Sequence, residues 1–78
     1  MKVLILLNTI DKVRDFTSKI MMIDGDYDIV SQGGHYTVDA KSILGIFSLD
    51  LSKPVLFQNA QHSDLSEEVL NLIAPFRA

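Results

Sequence analysis

The chain contains no cysteine and no tryptophan. Without cysteine there is neither a disulfide framework nor a thiolate metal site, so the usual staples of small secreted domains are excluded. Proline occurs twice and glycine four times, too sparsely to form a linker or a low-complexity segment that would divide the chain. Cations are also in deficit, seven Lys and Arg against ten Asp and Glu, for a net charge of −3. The long-range field therefore repels a phosphate backbone, and no nucleic-acid partner is expected. The leading apolar run, Val3 to Leu7, is far below a membrane span and meets Asn8 and Asp11 rather than a small-residue cleavage site. A cytoplasmic protein without a membrane partner is the expectation.

What is there is a chain of 78 residues, 47% hydrophobic and 22% charged, which suits one small globular domain over residues 1–78. At this size the core is thin, roughly 60% of the unfolded surface being buried, and a deep enzyme cleft has no room. Lys2 to Leu7 reads as a strand ended by Asn8-Thr9. Asn8 or Thr9 can cap a helix whose apolar stripe is Ile10, Val13, Phe16, Thr17 and Ile20, with Asp11 in the first turn and Asp15 four residues before Lys19. Asp24-Gly25-Asp26 breaks the pattern. Tyr27–Gln32 and His35–Ala40 then read as strands joined by a two-residue turn at Gly33-Gly34. Pairing Gln32 with His35 puts Tyr27, Ile29, Ser31, Tyr36, Val38 and Ala40 on one face. Ser42 can cap a short helix through Asp50, Val55–Asn59 forms a fourth strand, and Ser63 or Asp64 begins a last helix, with Asp64 and Glu67 spaced as a capping-box variant and Pro75 near its end. The order β-α-β-β-α-β-α, with apolar stripes on the two longer helices, predicts an α+β open-faced sandwich: a four-stranded antiparallel sheet with helices on one face.

Few residues suggest chemistry. Asp24-Gly25-Asp26-Tyr27-Asp28 has the opening of a calcium loop, but its sixth position is Ile29 rather than Gly and its twelfth His35 rather than Glu, so a polar turn is the better reading. Gly33-Gly34 lacks the following helix of a phosphate-binding loop. His35 and His62 are too few for a metal site and have no evident orienting partner. No catalytic residue, metal ligand or cofactor site is assigned, and no enzyme is expected.

The informative segment is Val38-Asp39-Ala40-Lys41-Ser42-Ile43-Leu44-Gly45-Ile46-Phe47-Ser48-Leu49. Five of the seven residues from Ile43 to Leu49 are apolar, more than one buried stripe on so short a helix requires. If Ile46 and Leu49 point inward, then Ile43, Leu44 and Phe47 form an exposed patch beside Ser42, and such patches mark docking surfaces. A helix wedged between the sheet and a loop is the alternative. The segment resembles the regulatory-serine region of the bacterial phosphocarrier protein HPr family of the sugar phosphotransferase system, which typically reads Val-Asn-Ala-Lys-Ser-Ile-Met-Gly-Val-Met-Ser-Leu. The resemblance extends to the element order and implies the HPr open-faced β-sandwich. It also implies that Ser42 is phosphorylated by an HPr kinase, that Ile43, Leu44 and Phe47 beside Lys41 dock a protein partner, and that the partner is that kinase or a transcriptional regulator. Ser42 as no more than a helix cap remains the competing reading.

The family's Gly-Leu-His-x-Arg-Pro-Ala motif, whose histidine accepts the phosphoryl group, has no counterpart. This chain reads Leu7-Asn8-Thr9-Ile10-Asp11-Lys12-Val13-Arg14 at that place, and Asp11 repels an incoming dianion while Lys12 and Arg14 partly offset it. The chain thus resembles the histidine-less, catabolite-repression branch of the family, and a regulatory or interaction module without phosphocarrier chemistry is expected. The alternative is a phosphotransfer protein with a relocated acceptor, His35 or His62. A second surface follows from the first strand, where Val3-Ile5-Leu7 and Leu4-Leu6 are both apolar. Whichever set meets the helices leaves the other on the open sheet face with Val30, and that face is expected to hold a homodimer or another chain.

Overall fold

The computed structural model describes residues 1–78. Its elements are β1 (Lys2–Ile5), α1 (Ile10–Ile20), β2 (Tyr27–Val30), β3 (Thr37–Asp39), α2 (Ile43–Phe47), β4 (Val55–Asn59) and α3 (Glu67–Ile73), followed by a 3-10 turn at Ala74–Phe76. The strands form one antiparallel sheet in the order β1-β4-β2-β3. The last strand in sequence therefore runs through the middle of the sheet, hydrogen-bonded to the first on one side and the second on the other. Alternation along each strand puts Val3, Ile5, Tyr27, Ile29, Val55 and Phe57 on the inner face, where α1 and α3 cover them. The α+β open sheet with helices on one face is thus the architecture observed.

Phe57 is the centre of this core. Its ring meets the edge of Phe16 from α1 at 5.8 Å and stacks on Tyr27 of β2 at 5.5 Å, while Phe16 also meets Phe76 edge-on at 5.5 Å. Along α1, Val13, Phe16, Thr17 and Ile20 form the buried stripe, and the Thr17 hydroxyl is satisfied by donating to the Val13 carbonyl at 3.0 Å. Ile10, placed on the same stripe by its spacing, is 60% exposed. It is the first helical residue after the Thr9 cap and lies outside the buried stripe.

Four element boundaries differ from the sequence reading, three of them where a side chain bonds the backbone and the fourth, the end of β1, where a distant carbonyl does. The β2–β3 ladder keeps the expected register, Asp28 opposite Asp39, Ile29 opposite Val38 and Val30 opposite Thr37, but stops short of a two-residue turn. Gly34 N–H donates to the Ser31 carbonyl at 2.8 Å, and the Gln32 amide instead reaches the Pro54 carbonyl at 3.0 Å. Tyr36, expected on the inner face, is consequently exposed. The helix from Ser42 ends at Phe47 rather than Asp50, where the Ser48 hydroxyl donates back to the Gly45 carbonyl. The last helix is capped by Ser66, whose Oγ accepts from Val69 N–H at 3.3 Å, so neither Ser63 nor Asp64 opens it and the Asp64–Glu67 box is not formed. Leu65, buried just before that cap, and half-buried Leu70 both join the core. β1 ends at Ile5, and Leu6 turns its N–H to the Phe76 carbonyl at 2.7 Å. Together with the Ala78 N–H to Leu4 carbonyl bond and the Ile5–Arg77 bridge, this seals the outer edge of β1.

Phe57→Ala is expected to lower the unfolding free energy by about 3–5 kcal/mol. That is a large share of the about 4–12 kcal/mol available to a domain of this size, whereas Ile10→Ala is expected to change it by less than about 0.5 kcal/mol. Urea melts followed by far-UV circular dichroism measure both.

Candidate functional site

The segment singled out in the sequence forms the turn from β3 into α2. Ala40 is fully buried and its N–H donates to the Tyr27 carbonyl at 2.9 Å, which fixes the end of the hairpin. Asp39 then bends the chain: its Oδ1 accepts from Lys41 N–H at 2.9 Å and its carbonyl from Ser42 N–H at 2.9 Å. Ser42 is extended, with φ −101° and ψ 105°, and its Oγ accepts from Gly45 N–H at 3.1 Å, so it caps α2. Gly45 sits at a close approach. A Cβ there would lie 3.2 Å from Val38 Cβ and 3.1 Å from Ser42 Oγ, so a side chain would make these neighbours give by a few tenths of an ångström.

This docking fixes the rotation of α2. Ile46 is fully buried and Leu49 half-buried, whereas Ile43, Leu44 and Phe47 are 37%, 81% and 43% exposed. The three outward residues occupy one side of a helix whose other side is held by Ile46 in the core. Lys41 has a further duty that its position in the sequence does not reveal: its Nζ donates to the Ile23 carbonyl at 2.5 Å. The ammonium so satisfies a carbonyl in the turn after α1, where a cation is favoured by the helix dipole. That contact ties α2 to the end of α1, and α1 and α2 pack together. Met21 and Met22, exposed in the same turn, with Met22 84% exposed, are a feature the sequence reading passed over. The signal was the apolar run Ile20-Met21-Met22-Ile23, longer than the end of a single helical stripe needs; exposed methionines suit adaptable docking surfaces.

The β1–α1 junction is built differently from a phosphoryl acceptor site. Thr9 Oγ1 accepts from Lys12 N–H at 3.1 Å, and Lys12 Nζ donates to Asn8 Oδ1 at 3.2 Å. One amide of the first turn and the nearest cation are thus already engaged, with Asp11 beside them. His35 lies in the β2–β3 turn, at the sheet edge opposite β1, which is three strand spacings or roughly 14 Å away. His62 follows β4, whose final residues pair with the start of β1, so it is at the other end of the sheet; its φ is 62°, a left-handed turn position. Neither imidazole stands at the junction.

A cavity of about 560 Å³ lies between the β2–β3 turn and the α2–β4 loop, with Ser31, Gln32, His35, Tyr36, Asp50 and Lys53 among its lining residues. Asp50 is held below the usual carboxylate range, first by the Ser52 hydroxyl at 2.6 Å and then by the Ser52 N–H at 3.2 Å, with Lys53 adding a smaller attraction. These bonds shape the loop. They assemble no nucleophile, base and orienting partner in line. No helix in the structure is long and apolar enough to cross a membrane.

Two outcomes are expected. Ser42→Ala should cost about 1 kcal/mol through loss of the cap, read in urea melts. The Asp50 carboxyl should titrate below the ordinary aspartate range by NMR, and Ser52→Ala should move it part of the way back up, since the hydroxyl bond is lost and the amide bond is kept. In comparison with known proteins, no family model, no curated protein and no solved structure matches this chain.

Proposed function

We propose that the protein is an HPr-like regulatory module that acts by binding a protein partner, with Ser42 as a phosphorylation switch and Lys41, Ile43, Leu44 and Phe47 as the contact surface. The observation that carries this reading is the rotation of α2, which turns three apolar side chains outward directly beside the serine that caps it. Support also comes from the likeness of residues 38–49 to the HPr regulatory-serine segment and from the element order β-α-β-β-α-β-α, the order that likeness implies. The absence of an imidazole from the β1–α1 junction favours a regulatory role over phosphoryl relay.

The switch has a physical basis. A kinase would transfer the γ-phosphoryl group of ATP to Ser42 Oγ, with ADP leaving and the hydroxyl proton passing to a base of the kinase. The product carries about −1.5 to −2 charge at the edge of the apolar patch. Asp39 opposes that charge and Lys41 attracts it. Lys41 is bound to the Ile23 carbonyl in the unmodified protein, so its transfer to the phosphate would release the turn that carries Met21 and Met22. Modification at one serine would then alter both ends of the surface.

Incubation with ATP and an HPr kinase, followed by mass-spectrometric mapping, is expected to place phosphate on Ser42 and nowhere in Ser42→Ala. Phe47→Asp and Leu44→Asp, folded by circular dichroism, are expected to slow labelling at least about tenfold, the loss of one anchoring contact of about 1.4 kcal/mol. No phosphate on Ser42, or acid-labile phosphate on His35 or His62 after treatment with phosphoenolpyruvate and the first enzyme of the sugar phosphotransferase system, would overturn the proposal.

A further inference from the structure

The cavity between the β2–β3 turn and the α2–β4 loop is built from walls that the fold fastens together. The bond from the Gln32 amide to the Pro54 carbonyl, 3.0 Å long, joins the two sides across 22 residues of sequence. The turn side is pinned a second time. Ser31 holds the Tyr36 backbone in both directions, its N–H donating to the Tyr36 carbonyl at 3.0 Å and its Oγ accepting from the Tyr36 N–H at 3.2 Å. The His35 ring lies so close over Gly33 that a Cβ there would stand 2.9 Å from its Cδ2. Alternation from buried Ala40 and half-buried Val38 turns Tyr36 toward the helix side of the sheet. It is nevertheless 68% exposed, and it lines the cavity with half-buried Leu49 and buried Val55 instead of joining the core.

The loop side contributes two opposite charges that do not pair with each other. Asp50 takes both of its bonds, from the Ser52 hydroxyl at 2.6 Å and the Ser52 N–H at 3.2 Å, on the one oxygen Oδ1. These bonds fix the carboxylate and keep it ionised, and they leave Oδ2 free to accept. Lys53 stands near enough to attract that carboxylate, but the one ion pair of the structure is Lys19 with Asp15. An unpaired anion and an unpaired cation therefore share the lining of one cavity of about 560 Å³, a size that suits a small molecule.

From this arrangement we infer that the cavity binds a free α-amino acid with an aromatic side chain, its ammonium on Asp50, its carboxylate on Lys53 and its ring against Tyr36 and Leu49. A simple anion would be attracted by Lys53 and repelled by Asp50, and a simple cation the reverse. Only a ligand that carries both charges close together satisfies both residues. The aromatic side chain follows from Tyr36, an exposed ring beside an aliphatic floor, on which a second ring stacks favourably. Exposed charge pairs contribute little individually, so binding is weak, with a Kd of about 1 mM. Ser42 caps the opposite end of α2, so amino-acid binding and Ser42 phosphorylation are separate properties and are tested separately.

NMR titration of the isotope-labelled protein with L-phenylalanine is expected to shift the amide signals of residues 31–36 and 48–55. N-acetylphenylalanine, which lacks the ammonium, and phenylalaninamide, which lacks the carboxylate, should each bind about three- to fivefold more weakly, the loss of one exposed charge pair. Asp50→Asn should erase the preference for the free amine and keep that for the free carboxylate, and Lys53→Gln should do the reverse. A general disturbance of the loop does not produce that crossed pattern. Tyr36→Ala should weaken all three probes together. Lys53 belongs to no ion pair of the fold, so Lys53→Gln decides alone should Asp50→Asn lose its native circular dichroism. No shift of the cavity signals by phenylalanine at about 20 mM, equal binding of the three probes, or a preference for the free carboxylate that survives Lys53→Gln would each overturn the inference.

Discussion

The structure depends on a single strand being inserted between two others that precede it. β4 supplies both inner hydrogen-bonded seams of the sheet and the ring of Phe57, on which Tyr27 stacks and Phe16 packs edge-on. Until residues 55–59 arrive, β1 and the β2–β3 hairpin have no contact through the sheet, and α1 has no aromatic floor. Such non-local pairing makes the fold cooperative, because neither half can bury its apolar face alone. The same dependence explains the edge arrangement: Phe76 brings the last residues against β1, and their backbone bonds close the edge that the insertion of β4 leaves outermost.

Periodicity made the core legible in the sequence. The spacing of Val13, Phe16, Thr17 and Ile20 fixed the buried side of α1, Val55–Asn59 was bounded as a strand at both ends, and Gly33-Gly34 gave the hairpin register although not its turn. Each of those signals is local. The misplaced boundaries came from bonds between residues distant in sequence or from competing caps, as with Gln32 reaching Pro54 and Ser66 displacing Ser63 and Asp64. The strand order was not legible at all, and with it the neighbours across the open face: nothing in a chain read from one end to the other places Lys2 beside Gln58 or Gln58 beside Asp28. At the candidate site the outward set Ile43, Leu44 and Phe47 followed from an excess of apolar residues on a short helix. The bond from Lys41 to Ile23 and the nearness of Met21 and Met22 required the fold.

Covering a sheet on one side creates two kinds of free surface with different physical origins. On the helix side, α2 is too short to hide its four apolar residues, and Gly45 lets it lie close to Val38. Exposure there is a consequence of length and is tuned by one cap. On the sheet side, exposure is a consequence of having helices enough for only one layer. Even there the middle strands are shielded: Val30 and Gln58 are buried, contrary to the exposure expected of Val30, and the exposed residues are those of the edge strands, Lys2, Leu4, Thr37 and Asp39.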